Sequence, residues 1–189
     1  PIFLLFLAAT GLVQGSHAAL YGFSTLHWNS IGWSNTAIGF FWAEGVVAEV
    51  ILFAYSGLLL QKIGICRLLF IGALAATVRW IGTGLATDFY SISLLQITHA
   101  LTFAATHLAA IHFVRRIAPE GTAGTAQSLY SAIGLGVSSA VLISLSGFIF
   151  EYSHPGAFYC MALSAGIGLF LVCILWKNWD GNRLNSELS

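Results

Sequence analysis

Six long apolar stretches follow one another along this 189-residue chain, and short polar or charged breaks separate them. A helix that crosses a lipid bilayer needs roughly 20 mostly apolar residues. The pattern therefore predicts membrane-spanning helices over residues 2–27, 36–60, 67–85, 91–114, 122–150 and 157–176. Alternating segments of about ten residues, which would indicate a β-barrel, do not occur. We predict an all-α, polytopic membrane protein: a six-helix bundle over residues 1–177 and a cytoplasmic tail over residues 178–189.

Charged residues are scarce, and none precedes Glu44. They make up 7% of the chain, whereas soluble domains are about a quarter charged. The net charge is zero, so nothing in the composition favours a nucleic-acid partner. The three cysteines are scattered, and His107 and His112 lie five residues apart rather than four, which is poor spacing for a metal on one helix. We predict neither a metal site nor a cofactor.

The basic residues predict the orientation of the bundle. Six of the seven Lys and Arg residues lie in or beside the second break, the fourth break or the tail: Lys62, Arg67, Arg115, Arg116, Lys177 and Arg183. The other three breaks hold none. Since cytoplasmic loops carry an excess of Lys and Arg, we expect both termini in the cytoplasm. Pro1 opens the chain inside an apolar run, without a signal peptide, and we interpret the chain as part of a longer protein.

Ionisable side chains inside the predicted helices are the main indication of function, because such groups are costly in lipid and usually mark a pathway. Glu44, Arg79 and His99 lie about 10–12 Å below the outer surface at 1.5 Å per residue, and Glu49 lies about 7 Å deeper. We expect Arg79 to pair with Glu49, Glu44 or His99 in one buried network. The two acids are about 140° apart around their helix and should serve different spots. A purely structural ion pair is the alternative.

The fourth helix has a polar face. Gln96, His99, Phe103 and His107 fall within a stripe of about 80°. This arrangement predicts a face turned towards water or towards other polar helices.

The break after the second helix reads Gly57-Leu-Leu-Leu-Gln-Lys62-Ile-Gly64-Ile-Cys-Arg67. It resembles the signature loop of the major facilitator superfamily, which is Gly, a short gap, an acid, a basic residue, Gly, then Arg or Lys. Gln61 replaces the usual acid, which is typical of the second half of these twelve-helix transporters. The resemblance implies the C-terminal six-helix half, with a conformational-switch loop formed by Gly57, Lys62, Gly64 and Arg67.

Further stretches narrow the resemblance. Val78–Gly82 and Leu95–Ala100 resemble lactose permease and its relatives, in which an Arg of the ninth helix and a His of the tenth belong to the sugar and proton site. The matching residues are Arg79 and His99. Phe41–Glu49 and Ala126–Ser131 are similar to the phenylpropionic acid transporter-like branch, which is related to the nucleoside and lactose proton symporters.

One departure from that pattern concerns the proton. Lactose permease carries a carboxylate three residues after the equivalent histidine, and Thr102 occupies that position here. The proton carrier is therefore expected on the second helix, with Glu49 as first choice and Glu44 as second, assisted by Arg79 and His99. A carboxyl group in a low dielectric holds its proton more strongly, and an approaching arginine favours its ionised form.

The resemblance implies a secondary active transporter, namely a proton symporter of a small organic solute such as an aromatic carboxylate, a nucleoside or a sugar, in a bacterial inner membrane. It implies no enzyme activity and no cofactor, with the proton gradient as the driving force. The N-terminal six-helix half would complete the substrate site. A transporter-derived sensor or scaffold and a facilitated-diffusion uniporter are the alternatives. The residues that we expect to line the substrate cavity are Gln14, Gln96, Thr102, Phe103, His107, Gln127 and Tyr130.

Overall fold

The computed structural model of this chain describes residues 2–179, and every regular element in that part is a helix. Six helices are long and apolar enough to cross a membrane, which confirms the predicted architecture. We call them the first to the sixth span, in chain order: Ile2–Ser30, Asn35–Ala54, Ile65–Leu85, Phe89–Ile117, Ala123–Phe150 and His154–Asn178. Residues 180–189, most of the predicted tail, lie outside the described residues.

The second predicted helix, which was expected to continue to Leu60, is divided in the structure. The second span ends at Ala54, Tyr55 forms a turn, and a short helix, Ser56–Ile63, follows it. Gly64 then takes a φ of 81°, a left-handed conformation that glycine adopts at little steric cost. The chain can therefore turn directly into the third span.

Three spans begin with a capping side chain on the same side of the bundle. Ser34, Asp88 and Ser153 each accept a hydrogen bond from the backbone N–H three residues further on. These bonds satisfy donors that the first helical turn would otherwise leave unpaired. Hydrogen bonds from Ser91, first from its hydroxyl and then from its backbone N–H, also hold the pKa of Asp88 below its ordinary value. The first, third and fifth breaks are thus sharp and polar.

The spans differ greatly in how far the bundle covers them. In the most apolar 18 residues of each span, 67% of the residues are buried in the first span and 56% in the fourth span. The corresponding fractions are 17% in the second span and 22% in the fifth span. The third and sixth spans pack along each other, and the sixth also packs closely on the first. A Cβ atom on Gly168 would lie 2.6 Å from a Val13 methyl group, so this contact requires glycine.

Three spans carry an irregular turn at mid-length. Ser16 and His17 interrupt the first span between the helices Ile2–Gly15 and Ala18–Ser30. The fourth span widens to a π-helix at Ala100–Ala105, and the fifth does so at Tyr130–Val137. Short π segments are rare and are frequent at functional sites. Two of these turns adjoin the polar residues described next.

Candidate functional site

Arg79 of the third span is the fully buried centre of a polar network. Its Nη1 donates to His99 Nδ1 at 2.6 Å and to Thr102 Oγ1 at 3.0 Å, and its Nη2 donates to Gln96 Oε1 at 3.0 Å. The guanidinium carbon also lies 4.8 Å from the centre of the Trp80 ring, in a cation–π contact. The expected contact between Arg79 and His99 is present. Within residues 2–179 no carboxylate contacts the guanidinium directly.

The contact with Arg79 determines where the His99 ring carries its proton. An arginine N–H can only donate a hydrogen bond, so Nδ1 of His99 accepts one. The ring is therefore neutral and carries its single proton on Nε2. A second proton on Nδ1 would place two donors and two positive charges 2.6 Å apart. While Arg79 stays in place, His99 acts as a neutral connector.

Glu49 of the second span lies on the other side of the same ring. Its Oε1 is 2.9 Å from His99 Nε2, and the hydroxyl of Tyr21 is 3.3 Å from that nitrogen. Among the described residues, no donor lies at a hydrogen-bonding angle to Glu49 Oε1. The contact of Glu49 with the His99 ring is therefore a close electrostatic contact and not a hydrogen bond. The three residues form a chain, Arg79–His99–Glu49, in which the imidazole separates the cation from the carboxylate.

Thr102 contacts the same nitrogen of Arg79, Nη1, as His99 does, and it has a second short polar contact. Its hydroxyl accepts from Arg79 and donates to His17 Nε2 at 3.0 Å. His17 Nδ1 lies 3.1 Å from the carbonyl oxygen of Gln14, which can only accept, so the His17 proton is on Nδ1. The turn at Ser16–His17 in the first span makes this arrangement possible. Each donor in this series meets an acceptor.

A cavity of about 190 Å³ lies beside Glu49. It is lined by Leu20, Tyr21, Trp42, Gly45, Val46, Glu49, Gln96, His99 and Phe103. The rings of Tyr21 and Trp42 are nearly parallel, with centres 6.2 Å apart, and those of His99 and Phe103 are parallel at 5.4 Å. Complete ligand pockets usually measure roughly 300–1,000 Å³. This cavity is lined by one carboxylate and several aromatic rings. Its volume is smaller than that of a complete ligand pocket and fits one part of a solute-binding site.

Two of the predicted cavity residues, Gln96 and Phe103, line this cavity. Gln14 donates to the Phe103 carbonyl oxygen at 3.3 Å, directly behind the cavity wall. Thr102 and Tyr130 are fully enclosed by their neighbours in this conformation.

The other predicted residues lie apart from the cavity. His107 stacks under Phe103 and contacts the Tyr130 hydroxyl at 3.2 Å through Nδ1. Gln127 is half-buried on the fifth span. Glu44 is half-buried, and its carboxylate has no hydrogen bond or ion pair within the described part of the chain. The two acids of the second span thus lie in different surroundings, as their angular separation predicts.

The predicted switch loop lies at the other end of the bundle. Gly57 and Lys62 belong to the short helix Ser56–Ile63, and Arg67 lies in the first turn of the third span. A cavity of about 440 Å³ is lined by Gly64, Arg67, His112, Arg116 and Trp176, together with five further residues. Basic residues of the second and fourth breaks therefore share one end of the bundle.

Tyr21 and Ser16 contribute to the site but were not predicted from the sequence. Tyr21 contacts His99, and Ser16 accepts from Trp80 Nε1 at 2.8 Å. The spacing of His17 and Tyr21, four residues apart and hence on one helix face, was the available signal. Tyrosine in an apolar helix is commonly only packing, which is why the signal is weak.

Comparison with known proteins agrees with the architecture. The model of the MFS_1 like family matches residues 1–161. Over 167 residues the chain is 40% identical to the "Probable 3-phenylpropionic acid transporter" of Escherichia coli (strain K12). This alignment covers 88% of this chain and 44% of that protein. It is also 26% identical over 176 residues to the "Maltose permease" of Geobacillus stearothermophilus, covering 93% of this chain and 45% of the permease.

The chain spans about half the length of the curated relatives that it matches. The family model nevertheless covers most of the chain, and the six apolar helices make it an integral membrane protein. The chain therefore belongs to the MFS_1 like family of the major facilitator superfamily, a family of transporters and not of enzymes.

Proposed function

We propose that this chain is one half of a proton-coupled transporter of a small organic solute and that Glu49 binds the coupling proton. The observation that carries the proposal is the chain Arg79–His99–Glu49, which ends in a carboxylate at the wall of a cavity. A symporter needs a group that takes a proton together with the solute and releases it afterwards. Glu49 combines the required chemistry with access to the cavity.

The neighbours of Glu49 make it the best carrier among the ionisable groups of the network. His99 is neutral because Arg79 donates to its Nδ1. Thr102 supplies a hydroxyl where related symporters carry an acid, and this hydroxyl does not ionise. Glu44, the second choice, has no connection to Arg79 or His99 within residues 2–179. Only Glu49 can both change its charge and transmit that change to Arg79.

The proposed cycle follows from the charge on Glu49. The ionised carboxylate is held near the His99 N–H and the Arg79 charge beyond it. Protonation removes this attraction and frees the second span to move relative to the third and fourth. The two halves of such transporters rock around a central site. The proton gradient is the driving force, and the proposed cycle uses no cofactor.

The surroundings of Glu49 favour a solute that carries both an aromatic ring and a polar group. Tyr21, Trp42 and Phe103 offer ring faces, and Gln96 offers an amide. An aromatic carboxylate fits best, in line with the name of the E. coli relative. Nucleosides and sugars are the competing classes. Uptake of 3-phenylpropionate and of maltose, each measured in competition with the other, separates aromatic carboxylates from sugars as the transported class.

The remaining part of the site would come from an N-terminal six-helix half. The second and fifth spans leave wide apolar faces uncovered, including Val46, Val50, Val137 and Val141. These faces are the proposed contact with the other half. The shared position of Arg67 and Arg116 at one end supports a cytoplasmic location for that end and for both termini, in the bacterial inner membrane.

The test compares Glu49→Gln with the matched variant Glu44→Gln in vesicles that contain the complete transporter. We expect Glu49→Gln to abolish uptake of 3-phenylpropionate driven by a pH gradient, while counterflow exchange continues. Glu44→Gln should keep both activities within about twofold. Normal pH-driven uptake by Glu49→Gln would remove Glu49 as the carrier. Uptake that never responds to a pH gradient, even in the unmodified protein, would indicate a uniporter, and complete lack of solute movement would indicate a sensor or scaffold.

A further inference from the structure

The cavity at the switch-loop end of the bundle is lined by both basic and apolar side chains. Its volume of about 440 Å³ lies within the range of ligand pockets, roughly 300–1,000 Å³. Arg67, His112 and Arg116 supply its basic groups, and Trp176 and Trp179 supply aromatic rings. Within the described part of the chain, none of its lining residues is acidic. An anion that enters this cavity therefore meets basic groups and no carboxylate on the wall.

Two of the basic groups come from different spans and have donors that suit a phosphate. Arg67 is exposed in the first turn of the third span, and an arginine presents a planar fork of donors that matches a phosphate group. His112 Nδ1 lies 2.9 Å from the Leu108 carbonyl oxygen, which can only accept, so Nδ1 carries a proton. Nε2 is not used by that bond, and it becomes a second donor when the ring is protonated. The third and fourth spans therefore both offer groups to one anion.

The apolar part of the lining indicates a lipid rather than an ion from solution. Leu60 and Ile63 line the cavity beside the basic residues. Trp176 is 41% exposed, and its ring lies 5.9 Å from that of Phe70. Tryptophan is enriched where a bilayer meets water, and basic pockets between spans bind anionic headgroups. A phosphate ion gains nothing from an apolar wall, whereas a phospholipid covers it with its glycerol and the first methylene groups of its acyl chains.

We propose that this cavity binds the headgroup of an anionic phospholipid, with Arg67 at the phosphate and Trp176 beside the glycerol and the upper acyl chains. In the orientation proposed above, the lipid belongs to the cytoplasmic leaflet. The cavity is formed by the second break, the fourth span and the sixth span. A bound lipid therefore connects the predicted switch loop to two further spans and stabilises the conformation described here. The inference goes beyond the proposed function and does not depend on Glu49.

The test compares two brominated lipids in phosphatidylcholine vesicles that contain the complete transporter. Bromine on an acyl chain quenches the fluorescence of a tryptophan that it touches. We expect brominated phosphatidylglycerol to quench more than brominated phosphatidylcholine at the same fraction. A series of fractions converts this additional quenching into a preference for the anionic lipid.

Variants at the end of the bundle show which charge makes the contact. Arg67→Gln should lower the preference for phosphatidylglycerol about fivefold, the loss expected for one basic residue at an anionic surface. Arg67→Lys, which keeps the charge, should retain most of it. Arg115→Gln is the matched control, because it removes the same charge from an exposed position outside the cavity lining, and it should leave the preference nearly unchanged. The difference should persist at about 1 M NaCl, where a screening length of about 3 Å removes diffuse attraction but not a direct contact.

Three results would overturn the proposal. Equal losses of preference in Arg67→Gln and Arg115→Gln would show diffuse attraction to the membrane surface. Displacement of brominated phosphatidylglycerol by inorganic phosphate at millimolar concentration would assign the cavity to an ion from solution. The position of the lipid is tested without any change of charge, since Trp176→Phe should remove most of the additional quenching. Additional quenching that persists in Trp176→Phe would place the lipid elsewhere, and this variant keeps the proposal testable if Arg67→Gln folds poorly.

Discussion

The two sides of the buried arginine differ in how completely their hydrogen bonds are assigned. On one side, hydrogen bonds run from Arg79 through the Thr102 hydroxyl and His17 to the Gln14 carbonyl oxygen, and each of them joins a donor to an acceptor. On the other side, the His99 N–H meets the Tyr21 hydroxyl, and Glu49 Oε1 lies 2.9 Å from the same nitrogen without a hydrogen bond, at the wall of a cavity. The first arrangement is hydrogen-bonded along its whole length, whereas the second ends at a carboxylate oxygen that has no hydrogen bond.

This difference teaches which part of the network holds position and which part changes state. A buried series of hydrogen bonds holds its position, because breaking any of them leaves a polar group unpaired. A carboxylate oxygen that has no hydrogen bond and lies at a cavity wall can gain or lose a proton without breaking a hydrogen bond of the network. We therefore assign the Thr102 side to holding Arg79 and the Glu49 side to the proton cycle.

The largest effect should come from the residue that both sides share. Arg79→Ala removes the donor of three hydrogen bonds, so Gln96, Thr102 and His99 all lose a partner. We expect proton-driven uptake to be lost entirely. Each buried acceptor left unpaired costs about 1–3 kcal/mol. Uptake assays together with thermal unfolding in detergent give both quantities.

Arg79→Lys is the matched variant for charge. A lysine ammonium is a point charge and cannot reproduce the planar fork of donors. It should preserve more stability than Arg79→Ala but restore little uptake. Proton-driven accumulation that survives in Arg79→Ala would show that the two sides of the network are not joined through the arginine.

A smaller effect is expected on the satisfied side. Thr102→Val keeps the side-chain shape but leaves His17 Nε2 and one Arg79 N–H without a partner. The free energy of unfolding should fall by about 1–3 kcal/mol, whereas uptake should remain coupled to the pH gradient. Thr98→Val is the control, because the Thr98 hydroxyl donates only to the Leu95 carbonyl oxygen of its own helix. Loss of proton coupling in Thr102→Val would contradict the assignment of this side to holding Arg79.

The sequence predicted the spans better than the details of the site. Hydrophobic length alone predicted the six helices, because a bilayer demands the same length of each. The meeting of Arg79 with His99 was also predictable, since consecutive spans run antiparallel and both residues lie at similar depth. The turn at Tyr55 was not, because Ser56 and Gly57 interrupt the apolar stretch only briefly before it resumes at Leu58.

Contacts that depend on local irregularity also escaped prediction. The position of Thr102 opposite His17 depends on the turn at Ser16–His17 and on the π-helix Ala100–Ala105, and both shift the helix faces away from a regular 100° period. The sequence ranked Glu49 above Glu44, but the contact of Glu49 with His99 depends on the packing of the second span on the fourth. Periodicity could separate the two acids but could not show which of them contacts His99.

The measurement that tests the central assignment most directly is a pH titration followed by infrared spectroscopy, comparing the unmodified transporter with Glu49→Gln. The account predicts a carbonyl band of a protonated carboxyl group that appears as the pH falls and is absent in Glu49→Gln, while the imidazole bands of His99, identified by comparison with His99→Gln, stay constant over the same range. A carbonyl band that persists in Glu49→Gln, or His99 bands that titrate in its place, would contradict the account.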